Sequence, residues 1–382
     1  MRIRYNEGSK PDAKEFYVMK KAFFCILLCV TLLLPATCFA AGDGLAAAED
    51  ILKQTLAANF TVLHTGDING QEQGGDTAVG YAKLAALAQS RQEESQVLLL
   101  DSGNALAGDG GKTIQLMEAA QYTAAAIGTR DAGLGIERLQ ELSARANFPL
   151  LCANWLRVDG EQLFEPYAIV EVAGIRVGII GLISPSIAEE YPDITQGCNV
   201  YKPSGIANIF YDEMVEQGCS YFIALTSLGY DGDYTPRDLG KESPWINLIL
   251  DSNTGTVLDM GELIDQTNVV AFNLEPGFAQ VGEYDVTTGN SNGMNTLYPA
   301  VYTAQDVKDL KADRKMEQLV ASEYVEPSQE VEQTGDGNGT VTITGGGSGR
   351  MVYLLCFVGI LVLTVAIILV MSRKSAAKGK KK

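Results

Sequence analysis

Seven apolar runs, several of them stopping at Gly, Asp, Asn or Ser, constrain this chain more than any other feature. They are "FTVLHTGD", "QVLLLDSGN", "FPLLCANW", "AIVEVAGIRVGIIGLIS", "SYFIALTSLG", "INLILDSN" and "NVVAFNLE", separated by helix-like stretches. Apolar runs of this length read as strands buried on both faces, and their alternation with helices implies an α/β layered domain, here over residues 58–290. "EVAGIRVGII" is two alternating runs about Ala173 and Gly174, a hairpin signal, so the sheets are expected to be mixed. The loops at the carboxyl ends of such strands are where a site is expected. At 382 residues the chain can bury a large core.

The two ends read differently. Residues 1–18 are a charged, patternless N-terminal extension. "MKKAFFCILLCVTLLLPATCFA", residues 19–40, has a Lys pair, an apolar run and small residues before Ala41, the grammar of a secretory signal cleaved near Ala40. Cys38 leaves lipidation as the alternative, against which Thr37 argues. Residues 41–57 read as a helical lead-in. "MVYLLCFVGILVLTVAIILVM", residues 351–371, has no charge in 21 positions, enough to cross roughly 30 Å of hydrocarbon. The tail, residues 372–382, holds six Lys/Arg and no acid, which places the C-terminus in the cytoplasm and the rest outside a single-pass protein of the cell membrane. Between domain and membrane, residues 291–325 read as a connecting segment and helical stalk, with Val307, Leu310, Met316 and Leu319 near helical spacing. Residues 326–350, rich in Gly, Thr, Glu and Gln, read as a flexible linker.

Residues 41–350 carry 17 Lys/Arg against 44 Asp/Glu, a net of −27, which argues against nucleic acid as a partner. Charge alone names no function. Of seven cysteines, Cys152, Cys198 and Cys219 fall in the exported part, where one disulfide and one free thiol are expected. Cys198 and Cys219 flank a helix-like stretch and each precedes an apolar run, which makes them the candidate pair, with Cys152 free.

Read in order, "VLHTGDINGQ", "VLLLDSGNALAG", "AAIGTRDAGLG", "FPLLCANW", "PYAIVEVAGIRVGIIGLISP", "IALTSLGYDGD" and "INLILDSNTGTVLD" resemble the metallophosphatase domain of the 5′-nucleotidase family, within the calcineurin-like phosphoesterases. The resemblance spans about 230 residues and implies a layered mixed-sheet sandwich of that type. It also implies a two-metal site in which a bridging carboxylate, His, Asn and Asp hold the ions that activate water and stabilise phosphoryl charge. This chain departs from that pattern. The first Asp is kept as Asp67, but its His partner is Asn69 and the bridging Asp is Asn104. The Asn ligand is Thr129, the catalytic His is Arg130, and the following acid is Asp131. Further on, one His is Ser227 and the Gly-His-x-His pair is Asn253 and Gly255.

The whole chain has one histidine, His64, three positions before Asp67, and a lone His beside a strand reads as packed rather than ligating. No cofactor is expected. Asp67, Asn69, Asn104, Asp131 and Asn253 offer oxygens to a hard divalent cation only weakly, and Arg130 could hold a small anion. The preferred reading is that Arg130 neutralises Asp67 or Asp131 and closes the site. Gly128, Gly133 and Gly135 keep the turns of the frame. Families of this kind add a C-terminal nucleoside-binding domain, and here the chain passes instead to the stalk and membrane segment. These readings point to a catalytically inactive binding or scaffolding module, with an unknown envelope protein as its partner. The alternative is a divergent phosphoester hydrolase of 5′-nucleotidase type with a rebuilt metal site.

Overall fold

The apolar runs of the sequence become the inner strands of two sheets. A computed structural model describes residues 58–253, 256–264, 269–289 and 295–326. The signal, the helical lead-in, the linker, the apolar run at 351–371 and the basic tail lie outside the described residues. Among the described residues no helix is long and apolar enough to cross a membrane.

The first sheet is ordered β14 (Thr296–Thr303), β13 (Gln280–Thr287), β1 (Asn59–Thr65), β2 (Val97–Asp101), β3 (Ala124–Ala126), β4 (Leu150–Leu151). The second is ordered β11 (Leu258–Leu263), β12 (Val270–Asn273), β10 (Leu248–Asp251), β9 (Cys219–Ser227), β7 (Ile175–Ile183), β6 (Tyr167–Val172). Strands β1 to β4 run parallel, as do β7, β9, β10 and β12, while β13, β14, β6 and β11 are antiparallel additions. The β6–β7 hairpin turns through Ala173 at φ 50° and Gly174 at φ 80°, the positive pair a two-residue turn requires.

Side-chain alternation along each strand assigns three layers of core. Phe60, Val62, Leu98 and Leu100 of the first sheet face Val177, Ile179, Ile223, Leu225, Leu248 and Leu250 of the second. On the outer face of the first sheet, Leu63 and Leu99 pack under α1 (Tyr81–Gln92), α2 (Gly111–Ala119) and α3 (Ile136–Arg145). A short helix α4 (Ile187–Glu190) follows β7. On the outer face of the second sheet, Leu182, Ala224, Ile249 and Ala271 pack under α5 (Pro203–Glu216) and α6 (Pro236–Glu242). Each such buried aliphatic contributes about 1.5–3 kcal/mol, so the sandwich rather than any polar contact supplies the bulk of stability.

Two expectations need correction. Residues 296–303 and 314–321 belong to the domain rather than to a connector and stalk. Strand β14 pairs along its length with β13, and α7 (Arg314–Ala321) lies over α1 and α2 with Met316 only 2 % exposed. Pro299 removes one donor from "TLYPAVYT", which an edge strand tolerates. The segment is strapped down by Lys83 Nζ on the Lys308 and Leu310 carbonyls, by Lys112 Nζ on the Leu319 and Ser322 carbonyls, and by Arg145 on the Tyr324 hydroxyl. The compact unit runs to Tyr324.

The Cys198–Cys219 disulfide is not formed, and Cys152, Cys198 and Cys219 are all free thiols. Cys198 opens β8 (Cys198–Val200), which pairs with β5 (Trp155–Arg157) in a separate two-stranded sheet, while Cys219 opens β9. The 14-residue α5 between them carries the chain roughly 21 Å, so the two thiols do not share one end of a sheet. Burial pushes the Cys152 thiol up to about 12.

Candidate functional site

The carboxyl ends of β1, β2, β3, β9 and β10 deliver their loops to one place. Strand β1 leads to Asp67 and Asn69, β2 to Asn104, β3 to Thr129, Arg130 and Asp131, β9 ends on Ser227, and β10 leads to Asn253. The sequence therefore nominated residues that do meet. Gly255 lies outside the described residues.

Glycine and left-handed backbone make the meeting close. A Cβ on Gly128 would sit 2.1 Å from Asn104 Oδ1, and one on Gly66 would sit 2.2 Å from Ser102 Oγ. Asp67, Asn69, Asn104 and Asn253 all have positive φ, at 51°, 54°, 62° and 68°. Asp and Asn are the non-glycine residues that visit this region most readily, because a short polar side chain can bond its own loop. Asn69 Nδ2 does so, donating to the Asp67 carbonyl at 2.8 Å.

The polar groups satisfy one another. Asn104 Nδ2 donates to Asp67 Oδ1 at 2.7 Å, and the Asn253 N–H donates to Asp67 Oδ2 at 2.9 Å. Asn104 Oδ1 accepts the Arg130 N–H at 2.8 Å, which fixes the amide with its nitrogen toward Asp67. Asp131 accepts the N–H groups of Asn104 and Gly128, both at 2.8 Å, and of Leu106 at 3.0 Å. Ser227 Oγ accepts the Thr129 N–H at 3.1 Å.

Arg130 does not neutralise either carboxylate, contrary to the expectation from charge. Its side chain is exposed and Nη1 donates to Asn69 Oδ1 at 2.6 Å, forming no ion pair with Asp67 or Asp131. The physical reason is that both carboxylates already have donors at hydrogen-bond distance, supplied by an amide and by backbone N–H groups that need no long side chain.

His64 is wholly buried, with Nε2 2.9 Å from Ser102 Oγ and Nδ1 3.3 Å from the Tyr284 hydroxyl. Burial lowers its pKa to about 3, so it is neutral. Two carboxylates escaped sequence reasoning. Asp101 accepts the Thr65 hydroxyl at 2.6 Å and the Gly103 N–H at 2.8 Å. Asp251 accepts the Thr226 hydroxyl at 2.6 Å and the Leu228 and Gly229 N–H groups at 3.0 Å. The signal that would have found them is the acid closing "LLLD" and "LILD", where a strand end buried on both sides leaves no water to solvate it. Burial raises Asp131 to about 6 and Asp251 to about 7, against the opposing pull of the N–H groups they accept, and raises Asp101 well above the usual range.

These residues do not fit a pair of catalytic metal ions. A ligand must offer a lone pair, yet both Asp67 oxygens, Asn104 Oδ1, Asn69 Oδ1 and Ser227 Oγ are turned to N–H donors, and at the bridging position an amide nitrogen faces Asp67. Among the described residues no group of three or more His, Cys, Asp or Glu is arranged to hold a metal.

The two stacked mixed sheets between helical layers, with a polar cluster at the strand tips, define a calcineurin-like phosphoesterase fold. The calcineurin-like phosphoesterase YfkN of Bacillus subtilis superposes with a TM-score of 0.60 at 19 % identity, over 70 % of this chain and 96 % of that one. No protein-family model matches the chain. In sequence it is 30 % identical over 202 residues to a 5′-nucleotidase of Vibrio cholerae, covering 48 % of this chain and 36 % of the relative. It is 23 % identical over 273 residues to the trifunctional nucleotide phosphoesterase protein YfkN of Bacillus subtilis, covering 62 % and 18 %. The chain thus spans little more than a third, or less, of the length of these curated relatives. Its folded part is thus similar in sequence to part of these nucleotide phosphoesterases and shares the calcineurin-like phosphoesterase fold.

Proposed function

We propose that this chain is a membrane-anchored, extracytoplasmic member of the 5′-nucleotidase family which no longer hydrolyses phosphoesters and acts as a binding or scaffolding module. The observation that carries the reading is the state of Asp67. It is the one ligand residue retained from the family pattern, and both its oxygens accept hydrogen bonds, from Asn104 Nδ2 and the Asn253 N–H. Activating a water near neutral pH needs a metal or an accessible base of matched pKa; the sole histidine is buried with its pKa lowered to about 3, and Asp131 and Asp251, at about 6 and 7, are buried with every oxygen already accepting a hydrogen bond. The anchor is the apolar run at 351–371, with the basic tail inside and the domain outside, and the partner is an envelope protein or a small anion met by the exposed Arg130 guanidinium.

The test is turnover. The full chain, supplied with manganese and either 5′-AMP or bis-p-nitrophenyl phosphate, should release no product above the buffer rate. About two equivalents of bound manganese or zinc together with hydrolysis would establish the second reading, a divergent phosphoester hydrolase with a rebuilt site.

A further inference from the structure

We infer that the strand-tip cluster now serves as a hydrogen-bonded clasp between the two sheets, doing without an ion the joining that a shared metal pair would do. The inference shares with the inactive-module reading the premise that no ion is needed at this site, but it is tested by stability and exchange rather than by turnover.

At the strand tips, three direct bonds cross from one sheet to the other. The Asn253 N–H, beyond β10 of the second sheet, donates to Asp67 Oδ2, beyond β1 of the first, at 2.9 Å. Ser252 Oγ, also beyond β10, donates to the Ser102 carbonyl, beyond β2, at 2.8 Å. The Thr129 N–H, beyond β3, donates to Ser227 Oγ at the end of β9 at 3.1 Å. All six residues are buried or half-buried.

Each side of the clasp is gathered by its own carboxylate. In the first sheet Asp131 draws together the Asn104, Leu106 and Gly128 N–H groups, and Asn104 Nδ2 ties that bracket to Asp67. In the second sheet Asp251 draws together the Thr226 hydroxyl and the Leu228 and Gly229 N–H groups, which brings Ser227 into line. Between the sheets the contact is apolar side chain on apolar side chain, which is strong but not directional. The clasp supplies direction at the strand tips, as the bonds from Ala153 and Asn154 to β7 do at the β4 edge. It also explains why Asn and Asp stand at 67, 69, 104 and 253: with positive φ at all four, most other side chains would be strained even where no ligand is wanted.

The experiment compares the full chain with three variants by thermal melting and amide exchange. The parent should melt at the same temperature in EDTA and in millimolar calcium or manganese. Ser227→Ala and Ser252→Ala each remove one crossing bond with little change in volume, and each should lower the melting temperature by about 2–6 °C. In Ser227→Ala the Thr129 amide should exchange faster while the central amides of β1 and β2 keep their protection. Asn104→Asp sets a carboxylate where the amide now donates to Asp67, and should lower the melting temperature in EDTA by about 4–10 °C. The inference is overturned if the parent gains several degrees from a divalent cation, since an ion would then be the joint. It is equally overturned if both serine variants melt and exchange as the parent does, or if Asn104→Asp is as stable as the parent in EDTA.

Discussion

The strand tips and the α7 strap both fasten parts of the chain that are far apart in sequence, and they do it by opposite means. At the tips, Asp67, Asp131 and Asp251 are buried and every oxygen accepts from a donor fixed by backbone or by a short side chain. Along the strap, Lys83 and Lys112 reach carbonyls across the surface, and Val307 and Met316 are the buried anchors. Buried, short-armed contacts cost much when one partner is lost, because the other is left without water. Exposed, long-armed contacts cost little, because water replaces them.

The steepest loss should follow removal of a carboxylate that holds several donors. Asp131→Ala leaves three backbone N–H groups unpaired, and chemical denaturation should show a loss of about 3–5 kcal/mol. In the strap, Met316→Ala should cost about 2 kcal/mol and make the chain around residues 304–324 susceptible to added protease before the rest of the domain unfolds. A strap variant as costly as the Asp131 one would erase the contrast.

Titration sharpens it further. Asp251 and Asp131 have folded pKa values of about 7 and 6, above the usual 3.8, so the folded state binds their protons more tightly than the unfolded chain does. The stabilisation from their protonation is complete below the unfolded value and is lost as pH rises through 6 and 7. His64 acts in the reverse sense, because its folded value of about 3 lies below the usual 6.5 and its contribution falls away as the unfolded chain takes up a proton below pH 6.5. Two raised acids outweigh one depressed histidine, so stability should climb as pH falls from 8, at up to about 1 kcal/mol per pH unit, and level off only as pH nears the acids' unfolded value of 3.8. A curve that falls steadily over pH 8 to 6.5 would contradict the buried state of these acids. The smallest effect is expected at the strap, where Lys112→Ala removes a cap from the end of α7 and should cost about 0.5–1 kcal/mol.

Much of the fold was legible because the inner strands are buried on both faces and therefore unbroken in hydrophobicity. All seven apolar runs contain strands, and the Ala173–Gly174 turn lies where the two alternating runs placed it. The edge elements were not legible for the converse reason. Strands β13 and β14 mix acids, glycine and proline with apolar residues, and α7 buries so little that its charges dominate the pattern. The membership of the site was readable from aligned strand ends, since topology alone brings those ends together. Its bonding was not. Balancing charges led to Arg130 as the neutralising group, whereas the carboxylates are met by amide and backbone dipoles that carry no net charge and leave no trace in a count of ionisable residues.

Pro299 has a further consequence, for how such chains behave in a crowd. It sits mid-way along β14, the outermost strand of the first sheet at one side, and at the other side the sheet ends in β4, two residues long. A passing strand looking for unpaired backbone would find a missing donor at one border and almost no border at the other. Packed densely side by side, copies would have little means of zipping together through this first sheet.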